Sequence, residues 1–284
     1  MAFRSYSHFK INTLPAIIVN YFVCILTGLV YAGPQNVFSQ WQWGAPWFWS
    51  AVFLGLIFVS TFYLMARTTQ LRGVSVATVA SKMSLAIPVV FSLFVFKYGV
   101  QDLDIWNKLG IGLSLVAIFM VSKKPKLKIV TPSMGLRQLV LPLSIFLLGG
   151  VIDTTLNYVN SRFVSERLEP VFPIFIFCFA FGFGITFALL RKIPFRPKDI
   201  LGGILLGIPN YFSIYFLLKT LRSFDNNGAW VYPFINIGII IGSTLLALWL
   251  FKEKLSRLNL VGIVLSVIVI YLLGYQEILK ALYP

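Results

Sequence analysis

Charged residues make up only 12% of this chain, about half of the roughly 25% carried by soluble domains. Acidic residues are the scarcest, with nine Asp and Glu against 24 Lys and Arg. Histidine is reduced to His8 near the N-terminus, so histidine-based metal or acid–base centres have no raw material. The two cysteines, Cys24 and Cys178, fall in the middle of apolar runs, where a small apolar role is expected rather than a disulfide. The chain contains no Walker loop, dinucleotide fingerprint, HExxH or nucleophile elbow. Enzymatic chemistry, ATP-driven pumping, a metal and a cofactor are therefore not expected. A cleavable leader is not expected either: the first apolar run lacks a small-residue cleavage site and continues to membrane-spanning length.

What fills the space is apolar. Hydrophobic residues are 58% of the chain and its mean hydropathy is +0.85. About 20 apolar residues cross a bilayer as a helix, and nine segments qualify: 14–32, 47–66, 74–96, 105–121, 139–159, 171–190, 200–218, 228–251 and 258–274. The connections are short, leaving nothing for a soluble domain. A barrel is excluded because its strands would alternate polar and apolar residues. The expected fold class is all-α, a polytopic membrane protein of nine transmembrane helices, with the lipid bilayer as its solvent.

The net charge of +15 suggests nucleic acid until its distribution is read. Of the Lys and Arg residues, 16 lie on the N-terminal tail (Arg4, Lys10) and on loops 67–73, 122–138, 191–199 and 252–257, and seven lie on the intervening loops and C-terminal tail. This is the positive-inside pattern. It places the N-terminus in the cytoplasm and the C-terminus outside, with Lys123, Lys124, Lys126 and Lys128 as the strongest determinant. No nucleic-acid partner is expected. The surroundings best matched are a bacterial inner membrane.

The chain also repeats itself. FYLMARTTQL, FSLFVFK and LGIGLSLVAI in residues 62–118 return as FSIYFLLKTL, STLLALWLFK and VGIVLSVIVI in 212–270. Farther back, LPAIIVNYFVCILTGL matches FPIFIFCFAFGFGITF, with Pro15 opposite Pro173 and Asn20 opposite Cys178. Spans one to four thus pair with spans six to nine, and span five lacks a partner. Two halves result: 1–124, with four helices and its first helix missing, and 125–284, with five. An odd-numbered repeat unit gives its copies opposite membrane orientation, so two inverted structural repeats are expected. Small residues four apart, Gly203 with Gly207 and Gly238 with Gly242, read as helix-packing faces. Pro88 and Pro209 are candidate breaks in their helices.

The stretch GAWVYPFINIGIIIGSTLLALWLFKEKLSRLNLVG at 228–262, echoed in 75–121, resembles the drug/metabolite transporter superfamily in its EamA-like branch. The resemblance covers nearly the whole chain through diffuse motifs. It implies ten helices and the movement of small metabolites, often amino acids, usually as an exporter. The chain departs from that pattern in having nine spans, the first being absent. Its hinge glutamate is Glu253, for which the first half offers Gln101, Asp102 and Asp104 and no clean equivalent. A later start of the sequence, or a homodimer completed by a second copy, would account for the missing helix.

Two ionisable residues sit deep in spans, Lys82 and Asp153. Each costs at least about 2.5–3.5 kcal/mol at the bilayer centre unless a partner or a wet cavity receives it. They belong to opposite halves and are expected to face a central cavity, paired or in contact with substrate. Asn157 and Asn160 follow Asp153 on one helical face; Asn157 reads as a substrate ligand and Asn160 as the interfacial end of the span. Counted back from the matched Phe96 and Phe251, Lys82 lies 14 residues away and Asn236 lies 15 away, so the two occupy nearly corresponding depths. Asn236 and Asn20 are further substrate-binding candidates, with Tyr211 and Tyr215 as aromatic walls. Trp41, Trp43, Trp47 and Trp49 read as an interfacial belt.

The expectation is a secondary transporter of a small polar metabolite such as an amino acid, working by alternating access at a midplane site between the halves. Two other readings stay open. One is a flippase or carrier for a lipid-linked or nucleotide-linked sugar; the other is a non-transporting scaffold or one half of a partnered complex.

Overall fold

Why the helices stop where they do decides the architecture. The computed structural model describes residues 6, 11–72, 74–97, 104–122, 140–251 and 257–282. Arg4, His8, Lys10, Gln101, Asp102, Glu253 and the four lysines of 123–128 lie outside the described residues, so their expected roles have no structural counterpart here. The described residues are all-helical, with no strand. The order is α1 (Thr13–Ala32), α2 (Pro34–Ser39), α3 (Pro46–Arg72), α4 (Val74–Met83), α5 (Ala86–Phe91), a π-helical turn (Ser92–Phe96), α6 (Ile105–Ser122), α7 (Val140–Arg162), α8 (Phe172–Leu190), α9 (Pro197–Ser223), α10 (Gly228–Phe251) and α11 (Arg257–Leu282). Among the described residues five helices, α1, α3, α7, α8 and α9, are long and apolar enough to cross a bilayer. Their composition suits membrane integration.

The helices gather into two compact units, each assembled from two separate stretches of the chain: residues 1–74 with 152–226, and 75–151 with 227–284. In the first, α1 packs most extensively on α9, α3 packs on α8, and α1 also meets α8. Glycines set these approaches. A Cβ on Gly203 would stand 2.5 Å from the Ala16 carbonyl oxygen, and one on Gly207 would stand 2.4 Å from Val23 Cβ. On α3, a Cβ at Gly55 would lie 2.6 Å from Phe179 Cβ. Backbone contact at that range maximises dispersion between apolar helices, which lack a hydrophobic drive in lipid. The Gly203–Gly207 face is therefore a packing face as its spacing predicts. Gly238 and Gly242 are exposed with nothing within 4 Å, and that expectation is corrected.

The start of α9 is bolted to the start of α1. The buried Asp199 carboxylate accepts from the Asn12 N–H at 2.7 Å and the Arg196 N–H at 3.1 Å. Tyr6 donates its hydroxyl to the Gly202 carbonyl at 2.8 Å. Burial pushes the Tyr6 hydroxyl up to about 12, so it stays protonated as the donor. Beyond the far end of α1, Trp41, Trp43 and Trp49 are exposed as an interfacial belt requires. Trp47 departs from the expectation: it is buried against Phe172 and Phe175, where the first turn of α8 covers it.

In the second unit α6 packs along α11, and α10 lies against α6 and α5. Asp104, which offered no clean equivalent of Glu253, caps α6: it accepts from the Asn107 N–H at 2.8 Å and receives the Tyr275 hydroxyl. Asn107 then donates to the Leu272 and Leu273 carbonyls at 3.0 and 3.3 Å, and Trp230 Nε1 donates to Leu273 at 2.7 Å. Gly207→Leu should destabilise the first unit by about 1–3 kcal/mol through overpacking. Gly238→Ala, which meets open space inside α10, should leave the midpoint of thermal unfolding unchanged or raise it by a few degrees. Equal midpoints for both variants would contradict this packing.

Candidate functional site

The apolar run 74–96 does not form one continuous helix, and Pro88 is the cause. Proline has no N–H, and its ring conflicts with the carbonyl four residues earlier, here that of Ser84. The helix ends at Met83, and the Ser84 carbonyl accepts from the Ile87 N–H at 3.0 Å instead. The break is received by a glycine pair on α7. A Cβ on Gly149 would lie 2.7 Å from Ser84 Oγ, and one on Gly150 would lie 2.2 Å from Ile87 Cδ1. The expected break at Pro209 is absent, because α9 runs through it.

Lys82 occupies the last turn of α4, where the freed carbonyls and the negative end of the helix dipole favour a cation. Its Nζ donates to Asn236 Oδ1 at 2.9 Å, and Asn236 Nδ2 donates to the Tyr232 carbonyl at 3.1 Å. The amide thus relays negative potential from an α10 carbonyl toward the ammonium, strengthening both bonds in a low dielectric. The structure brings these two candidates together within the second unit. Asp153, Asn157, Asn20, Tyr211 and Tyr215 all belong to the first unit.

There the candidates divide by role. Asn20 is buried and accepts from Asn210 Nδ2 at 3.3 Å, while Cys24 Sγ lies 3.2 Å from the Gly207 carbonyl, so this cluster stitches α1 to α9. Tyr211 donates to the Pro170 carbonyl at 2.7 Å, and Tyr31 donates to the Tyr215 hydroxyl at 3.1 Å. The Tyr211 and Tyr215 rings lie 7° from parallel with centroids 6.4 Å apart, one turn apart on one face. Asn160 is not an exposed interfacial marker. It is buried and donates to the Leu218 carbonyl at 3.0 Å and to Asn226 Oδ1 at 2.8 Å. Asp153 is half-buried and Asn157 fully buried.

The segment 163–171 is held by residues that the span count passed over. Arg222 reaches both Glu169 and the Val164 carbonyl, and Glu169 is buried. Gly149, Gly150, Arg222 and Glu169 had a sequence signal only in hindsight: a glycine pair inside a span, and opposite charges at adjoining loop ends. A cleft of about 470 Å³ near the other end of this unit is lined by Asn12, Tyr63, Arg67 and Ile193 among others and contains no candidate residue.

No family model matches the chain. It is similar to an uncharacterized protein of Haemophilus influenzae, 26% identical over 224 residues that cover 79% of this chain and 74% of the relative. A crystal structure superposes with a TM-score of 0.63 at 15% identity, covering 94% of this chain and 90% of that one. That likeness shows a shared fold and extends over almost the whole chain.

Arg222→Met should lower stability by about 1–3 kcal/mol, because it strands the Glu169 carboxylate while Arg222 itself is partly solvated. Adding Glu169→Gln should restore part of the loss. Thermal unfolding in detergent reads both, and an unchanged midpoint for Arg222→Met would show the clamp to be idle.

Proposed function

We propose that this protein is a secondary transporter of a small polar metabolite, an amino acid being the best match, and that it binds its solute at Lys82 and Asn236. The reading takes the chain as nine spans in two inverted halves of the drug/metabolite transporter type, seated in a bacterial inner membrane with its N-terminus inside and working as an exporter. One observation carries it. Lys82 and Asn236 stand at nearly corresponding positions of the repeat, 14 and 15 residues before Phe96 and Phe251, and they touch. Residues related by a twofold axis can touch only beside that axis. A shared axis through a broken helix is where a carrier of this build holds its cargo.

The packing supports the same symmetry. The repeat exchanges span one with six and span two with seven. It therefore turns the α1–α9 contact into the α8–α3 contact, and both are among the most extensive in the fold. The α6–α11 contact, also extensive, maps onto itself. An ammonium at a helix break that donates to the amide oxygen of Asn236 can trade that amide for the carboxylate of a zwitterion. The bond to the amide is already charge-assisted; a carboxylate in its place adds the attraction of a full opposite charge, which gives the exchange its drive.

In proteoliposomes, wild-type protein should show saturable counterflow of its solute. Lys82→Ala should reduce that flux by about tenfold or more, roughly the loss of one charge-assisted bond. Flux at the wild-type rate in Lys82→Ala would remove Lys82 from the site. Absence of saturable counterflow across a broad metabolite panel would favour the scaffold reading.

A further inference from the structure

Four helix ends of the first unit gather around its cleft: the starts of α1 and α9 and the ends of α3 and α8. All four helices are long and apolar enough to cross a bilayer, and a cleft where spans end together opens at the level of lipid headgroups. The end of α8 shows how one wall is built. Lys192 takes the left-handed conformation at φ 51°. Its N–H meets the Leu189 carbonyl at 3.1 Å, and the Ile193 N–H returns to the Ala188 carbonyl at 2.9 Å. This closure satisfies the last carbonyls of the helix and folds Ile193 back over its end, where it packs on the cluster of Leu14, Ile18 and Ala188. Leu14, Ala66, Leu71 and Ile193 form the apolar part of the lining, and the cleft holds about 470 Å³. Sites that enclose a small ligand run from about 300 to 1,000 Å³.

Asn12, Tyr63 and Arg67 form its polar part. Asn12 makes no side-chain cap to α1; its N–H is what Asp199 takes. Arg67 is exposed and donates from Nη1 to the Tyr63 hydroxyl at 3.3 Å, which orients a guanidinium that has five N–H donors. Tyr63 packs edge-on against Phe187 with ring centroids 5.4 Å apart, and the Arg191 guanidinium lies 5.8 Å from the centre of the Phe187 ring. Two cations are thereby fixed on one aromatic pair. Lys192, Arg196 and Lys198 follow in the loop and the first turn of α9. Among the described residues at this end, Asp199 is the one acid, and it is buried on the Asn12 and Arg196 N–H groups. The mouth therefore calls for an anion. Leu71, 60% exposed on the same lining, calls for hydrocarbon, which a free anion does not bring.

We propose that this cleft binds one anionic phospholipid, with its phosphate on Arg67 and Asn12 and the first part of an acyl chain against Leu71 and Ile193. A planar guanidinium matches two phosphate oxygens at once. Basic loops at a membrane surface attract anionic lipid without holding any one molecule. The cleft adds what such loops lack, an oriented guanidinium and a wall for the chain. The proposal belongs to the first unit alone and is independent of the transporter reading; it needs only that these spans lie in a bilayer. A lipid seated there touches α1, α3 and the end of α8 together, so its binding stabilises the folded unit.

The test melts delipidated full-length protein in dodecyl maltoside with added dioleoyl phosphatidylglycerol, dioleoyl phosphatidylcholine or free glycerol 3-phosphate. Phosphatidylglycerol should raise the unfolding midpoint saturably, and the other two should leave it in place. Arg67→Gln, at an exposed position, should keep the lipid-free midpoint and need about tenfold more phosphatidylglycerol for half the shift, the loss of one charge-assisted contact. Lys198→Gln removes the same charge from outside the lining and should change that concentration by less than about twofold. Leu71→Asn should weaken the shift as Arg67→Gln does, and it carries the test should Arg67→Gln fail to assemble. Equal losses in Arg67→Gln and Lys198→Gln would overturn the proposal in favour of a diffuse basic surface. A matching shift with glycerol 3-phosphate would overturn it in favour of a soluble-anion site. An equal response to phosphatidylcholine, or no saturable response to phosphatidylglycerol, would overturn it outright.

Discussion

A charge in an apolar run needs an oxygen to hold, and in this fold the helix that carries Lys82 is broken where it does so. Lys82 sits at the end of α4 because Pro88 stops the helix there. The break turns carbonyls outward that a continuous helix would consume. Those carbonyls and the amide of Asn236 make the position tolerable for an ammonium. Were the helix unbroken, Lys82 would lack the dipole end beside it and its burial would be far more costly.

Glycine is the second constraint, and it follows from the first. A broken helix is wider than a straight one, so its neighbour must yield, and Gly149 with Gly150 provides the room. Elsewhere Gly203, Gly207 and Gly55 bring helix backbones to within a Cβ of one another. In lipid this close fit replaces the hydrophobic effect as the cohesive term. The polar bolts at the helix ends, Asp199 with Asn12 and Arg222 with Glu169, then fix the axial positions that packing alone would let slide.

Much of this was legible in the residues. Composition and apolar length give an all-helical membrane chain, and the Gly203–Gly207 spacing names a face that the structure packs. The depth match of Lys82 with Asn236 came from the internal repeat, and the two side chains meet. The reading failed where a residue's partner lies far away in the chain. Asn160 looked interfacial because it ends an apolar run, yet Leu218 and Asn226 receive it. Trp47 looked like its three neighbours until the start of α8 covered it. Gly238 and Gly242 have the spacing of a packing motif and no neighbour. Spacing states which residues share a face; it does not state what the face meets.

The central claim is that Lys82 and Asn236 flank a twofold axis at which solute binds. A charge exchange tests it most directly. Counterflow should be compared for wild type, Lys82→Asn, and the double variant Lys82→Asn with Asn236→Lys. An axis between the two positions predicts that the double variant, which returns the ammonium to the same place from the other half, recovers a substantial part of the flux lost in Lys82→Asn. Flux in the double variant no higher than in Lys82→Asn would contradict the account.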